Sequence, residues 1–199
     1  AINFCILQHR LGITSFTRDI FLFYKTGIES GSLTENNTIS PYTYRNVVAV
    51  GIILEELEWA TNFTINYKDF VEIENRESVY SFNMARIKYH MGQYEEVREF
   101  LWNTDFEDTL LSLSAKTILL KVYYLIGEYL LLDSAIESFR GYLKRKKVAK
   151  AHALNYQKIG AYMKSLRRVS SFHKNPKSIQ KLVLKLKAES PFTEKSWFE

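Results

Sequence analysis

The sequence predicts an all-α fold, a solenoid of about five stacked antiparallel helical hairpins, with residues 1–199 forming one domain. Three observations carry this expectation. At 199 residues, with 46% hydrophobic and 15% aromatic side chains, the chain can bury a substantial core. Its eight glycines and three prolines are too few for a sandwich or barrel, which needs turn signals about every 8 to 12 residues. The third observation is a period. Gly92-Gln93-Tyr94 returns 35 residues later as Gly127-Glu128-Tyr129, and Leu57-Glu58-Trp59 lies another 35 residues upstream. A fixed period in the thirties marks helical hairpins that bury their apolar faces only by stacking.

The elements follow in chain order. Residues 4–28 read as a first hairpin, and the polar stretch 29–41, with Gly31 and Pro41, as a loop. Residues 43–71 form a second hairpin. In the third, Phe82, Met84, Ala85, Tyr89 and Met91 recur at helical steps, Gly92 stops the helix, and Val97, Phe100 and Leu101 share one face of the next. The fourth repeats this around Gly127. The last pairs residues 149–169 with 178–189, Pro176 standing near the start of the second helix. Trp59, Tyr94 and Tyr129, equally spaced, are expected to wedge between the helices of successive hairpins.

Residues 83–97, "NMARIKYHMGQYEEV", resemble the helix-turn-helix core of the tetratricopeptide repeat (TPR) family. Ala85 stands where a small residue lets helices approach, Gly92 at the turn and Tyr94 just beyond it. Val97 replaces the usual alanine of the second helix, Lys88 the usual aromatic of the first, and no proline closes the unit. The resemblance covers roughly residues 78–145. It implies a right-handed, TPR-like solenoid whose concave groove binds peptides or extended protein segments. In that family the position shared by Arg86 and Lys121, 35 residues apart, faces the groove. Asn83, one turn before Arg86, and Lys158, two residues out of register, complete a groove-binding row of Asn83, Arg86, Lys121 and Lys158.

Chemistry beyond binding has little to stand on. His9, His90, His152 and His173 show no i,i+4 pairing and no carboxylate at ligand spacing, so no metal site is expected. No glycine-rich phosphate cradle or nucleophile elbow is present, and no cofactor and no catalytic residue is assigned. Glu55-Glu56 and Glu95-Glu96 sit where helix ends attract or solvate negative charge. Cys5, the single cysteine, excludes an internal disulfide framework. The chain begins at Ala1 without an initiator Met, so a longer gene product is expected. Residues 117–132 are apolar but broken by Lys121 and Glu128, so no transmembrane segment is expected and a cytoplasmic location is.

Charge is divided along the chain. From Arg140 to Lys187 there are 15 Lys and Arg and no acid, whereas residues 1–139 hold 11 basic and 19 acidic side chains. Lys144, Arg145, Lys146, Lys147, Arg167 and Arg168 are expected to form an anion-binding patch in this basic portion, 140–187. Nucleic acid, an anionic membrane surface and an acidic protein segment would each be attracted. The favoured expectation is a non-enzymatic interaction scaffold that holds a protein or peptide partner, acidic in character, in a concave groove. The alternative is a nucleic-acid-binding helical repeat using the basic C-terminal hairpins.

Overall fold

The computed structural model describes residues 16–34, 38–102, 104–171 and 176–199. Among these the chain is helical, and an isolated bridge of β type joins Ile39 to Val71. Residues 4–15 of the expected first hairpin, Cys5 and His9 included, lie outside the described residues, as does His173. The chain divides into two compact units, residues 1–105 and 106–199.

The first unit holds α1 (Phe16–Glu29), α2 (Pro41–Ile53), α3 (Leu57–Asn66), α4 (Ile73–His90) and α5 (Tyr94–Trp102). Ser40 starts α2 by accepting the Thr43 amide at 3.1 Å, with Pro41 in the first turn where its missing N–H costs nothing. α1 packs on α2, α2 on α3 and α4, and α4 on α5. Tyr44, Val47, Val48, Ala85 and Ile87 fill the interior. The Tyr44 hydroxyl donates to the Thr64 carbonyl, and burial above all holds it neutral well beyond the ordinary tyrosine range.

The second unit holds α6 (Thr109–Leu125), α7 (Tyr129–Arg145), α8 (Lys150–Ser171), α9 (Pro176–Ala188) and the short α10 (Lys195–Phe198). Asp108 caps α6 by accepting the Leu111 amide at 2.7 Å. α6 packs on α7 and α8, and α8 on α7 and α9. Leu113, Leu120, Leu132, Ile136, Phe139 and Met163 are its core.

Three turns make the hairpins. α2, α4 and α6 each run into a residue in left-handed conformation, with φ of 59° at Glu55, 74° at Gly92 and 77° at Gly127. The amide after it reaches back five residues: Glu56 to the Gly51 carbonyl at 2.9 Å, Gln93 to Lys88 at 2.9 Å, Glu128 to Tyr123 at 3.0 Å. Carbonyls orphaned at a helix end are thereby satisfied and the chain is reversed. Three residues into the next helix, Ala60, Val97 and Leu132 are all fully buried at 0% exposure.

This geometry corrects the sequence register at the first turn. Leu57, not Trp59, is equivalent to Tyr94 and Tyr129, because Glu55 occupies the glycine position. The three aromatics are not equivalent in their packing either, and only Trp59 meets a ring of another hairpin. Tyr94 lies over Tyr89 at 5.8 Å and Tyr129 over Tyr124 at 6.3 Å, each pair spanning its own turn. Trp59 stacks on Phe63 at 5.6 Å, within its own helix, and meets the edge of Phe21.

No atom lies within 4 Å of where a Cβ at Gly92 or Gly127 would stand, so only the backbone angle resists substitution. Gly92→Ala and Gly127→Ala should each destabilise by about 1 kcal/mol. Glu55→Gly should stabilise by up to about 1 kcal/mol by the same reasoning. Urea unfolding measures all three; an unaffected Gly92→Ala would show that the turn relaxes.

Candidate functional site

Helices α6 and α8 are the first helices of successive hairpins in the second unit and pack on each other. Lys121 projects from α6; Asn155, Lys158 and Tyr162 project from α8 at three- and four-residue steps and so share one face. Across this face runs the segment Glu189–Glu199, "ESPFTEKSWFE", which carries every acid found beyond residue 139.

The contacts pair each lysine with a carboxylate and a ring. Lys121 Nζ donates to Glu194 Oε2 at 2.7 Å and lies 5.7 Å from the Trp197 ring centre. Lys158 Nζ contacts Glu189 Oε1 at 2.9 Å, donates to Ser190 Oγ at 2.6 Å, and lies 5.8 Å from the Phe192 ring. Asn155 Oδ1 accepts the backbone amide of Thr193 at 2.8 Å, while its Nδ2 donates to Thr193 Oγ1. The side-chain amide thus holds the main chain of the segment at Thr193, where it turns into α10. Phe192 stacks on Tyr162 at 5.3 Å with the planes 9° apart, and Trp197 meets Tyr124 edge-on at 5.9 Å.

Electrostatics follow burial. Lys121 is only 7% exposed, so its ion pair with the Glu194 carboxylate is little screened by water. The hydrogen bond from Lys158, ahead of the other contributions, holds the Glu189 carboxyl below its usual range. Burial first, and then the Glu189 charge, raise the Tyr162 hydroxyl.

The groove row predicted from register is not one surface of free side chains. Asn83 is fully buried and donates to the Tyr44 carbonyl at 3.3 Å, because α4 crosses α2 there. Arg86 is half-buried, donates to the Arg45 carbonyl at 3.4 Å and lies 5.6 Å from the Phe82 ring. Lys121 and Lys158 do share a face, and it is covered by residues 189–199. Tyr124, Asn155 and Tyr162 were missed by sequence reasoning. The signal that could have found them is the return of acids at Glu189 and Glu194, interleaved with Phe192 and Trp197, after a stretch, 140–187, that holds none.

The basic portion is also sorted by the structure. Lys144, Arg145, Lys146 and Lys147 are exposed where α7 ends, and Arg168 is exposed on α8. Arg167 departs from the expected patch: it pairs with Asp133 at 2.9 Å and lies 4.8 Å from the Tyr129 ring, tying α8 to α7. Among the described residues no group of His, Cys, Asp and Glu could hold a metal ion, and no helix is long and apolar enough to cross a membrane.

A carboxylate with a lowered folded-state pKa stabilises above its ordinary value and loses that contribution as pH falls through the folded value. Glu189 should therefore hold the segment at neutral pH and release it below about 4.5, its ordinary value. The Trp197 indole N–H signal, assigned through Trp197→Phe, should move to a solvent-exposed position in acid while core amides stay protected. Lys158→Ala should bring that move to higher pH; an indole signal indifferent to both would mean that the aromatic contacts alone hold the segment. No protein-family model, curated protein or solved structure matches this chain.

Proposed function

We propose that this protein is a non-enzymatic interaction module, its hairpins stacked as a right-handed TPR-like solenoid, that binds an extended acidic segment of a partner protein on the face made by α6 and α8. The observation that supports this reading is the way residues 189–199 are held there: a carboxylate on each lysine, an aromatic ring beside each, and an asparagine on the backbone. That is the chemistry by which a helical groove recognises a peptide, with charged hydrogen bonds setting specificity and rings supplying buried area. Residues 189–199 are the resident occupant, and a partner of the same character competes with them. The same reading gives the protein a cytoplasmic setting, which a single cysteine suits.

The test uses a labelled peptide of sequence ESPFTEKSWFE added in trans. The full chain carrying Glu189→Ala and Glu194→Ala should bind it, and the unaltered chain should bind it about tenfold more weakly because its own segment is in place. Adding Lys121→Ala and Lys158→Ala should weaken binding by about tenfold or more for each charged hydrogen bond lost. Equal, negligible binding by all three proteins would overturn the proposal. The exposed run Lys144 to Lys147 favours a second reading, nucleic-acid binding. It would prevail if single-stranded RNA bound at physiological salt and charge reversal of that run abolished it.

A further inference from the structure

Helix α9, Pro176–Ala188, is apolar and basic at once. It carries Lys177, Lys181, Lys185 and Lys187 and no acid. Ile179, Leu182, Val183 and Leu186 recur at three- and four-residue steps, the rhythm of a face that folding should cover. The second unit covers one edge of it. Leu186 is buried and Leu182 half-buried on the side where α9 packs on α8, with Lys185 Nζ 5.5 Å from the Tyr162 ring. Ile179, Val183 and Leu184 stand 39%, 42% and 64% exposed. Apolar side chains scattered singly over a surface are ordinary, but three between residues 179 and 184 of one helix form a patch. Cations are set among them. Lys187 lies one turn after Val183, and Lys181 and Lys187 stand three residues to either side of Leu184.

Whatever covers this side of α9 has to be apolar and negatively charged together. A second copy would bring lysine against lysine. A nucleic acid would answer the charge and leave three aliphatic side chains in water. A bilayer containing anionic lipid supplies both, since acyl chains lie just beneath its phosphates; aliphatic side chains go under that layer while lysines reach back to it. The exposed arc is also wide. Leu184 stands about 100° around the helix from Val183, which suits a planar medium better than a protein groove that takes one stripe. We infer that α9 is an interfacial helix that lies on an anionic lipid surface, with Ile179, Val183 and Leu184 entering it and Lys181 and Lys187 meeting the headgroups. It lies in the interface and does not span it: its 13 residues rise about 20 Å, against a hydrocarbon core of about 30 Å.

The test is flotation of the full chain with vesicles. Phosphatidylcholine vesicles containing about 30% phosphatidylserine should bind it about tenfold more tightly than phosphatidylcholine alone, and the affinity should fall as salt rises. Val183→Gln with Leu184→Gln keeps the charge and should weaken that binding about tenfold without shifting the melting temperature. Leu184→Gln alone serves the same purpose if the pair unfolds the unit. Lys181→Gln with Lys187→Gln should weaken binding as well and flatten its salt dependence. Failure of the anionic vesicles to bind, or the same flotation with Val183→Gln and Leu184→Gln in place, would overturn the assignment. Anionic vesicles left unbound while Leu184→Gln abolishes self-association, or abolishes binding of a polyglutamate peptide, would overturn it in favour of a second copy or of an acidic protein.

Discussion

At three points among the described residues a helix is stopped by one residue in left-handed conformation, and the amide that follows it turns back to a carbonyl five residues earlier. Everything larger rests on that closure. It fixes where the second helix begins, and so which of its residues, Ala60, Val97 or Leu132, meets the first helix. A buried position three residues past the turn can be filled by any apolar side chain that matches the local gap, and the three occupants differ in size accordingly. Backbone geometry repeats here more strictly than side-chain identity. Glu55 shows the limit: the φ of 59° is kept although the residue is not glycine.

This explains what the sequence made legible. The hairpins from α2 to α7 could be read because the 3.6-residue apolar rhythm and the two glycines both report the same turns. The first turn was misplaced by two residues because its left-handed position is a glutamate, which leaves no compositional mark, and Trp59 offered a conspicuous substitute. Asn83 was misassigned for a related reason. A polar side chain on a helix reads as exposed unless a neighbouring backbone carbonyl takes its donor, and the Tyr44 carbonyl that does so is 39 residues away. Lys121 and Lys158 were found by period alone; their partners were not, since ion pairs that close over 73 and 31 residues have no local signature.

The divided charge acquires a physical sense in the second unit. A stretch with 15 cations and no acid repels itself, and the acids that relieve it come from either side. Asp133 and Glu137, on α7, hold Arg167 and Lys164 of α8, so the helices are cross-braced from outside the acid-free stretch. Glu189 and Glu194, beyond it, hold Lys158 and Lys121. Exposed ion pairs contribute little individually. Lys121 is different, since burial removes the water that would otherwise screen its charge, and this makes Glu194 the anchor of the segment while Glu189 and the rings align it.

An anchored segment also sets a threshold for anything that competes with it. A tethered occupant acts at an effective concentration of about a millimolar for a short flexible link, so a free peptide of equal intrinsic affinity cannot displace it at micromolar levels. A partner must therefore add contacts that residues 189–199 do not make. Exposed positions are available nearby on the same helices, Leu154 on α8 and Leu125 at the end of α6 among them. A competitor that reproduces the two carboxylates and covers these apolar side chains gains what the resident segment lacks. Such a face would discriminate by the sum of charge and apolar reach, and acidity alone would not suffice to open it.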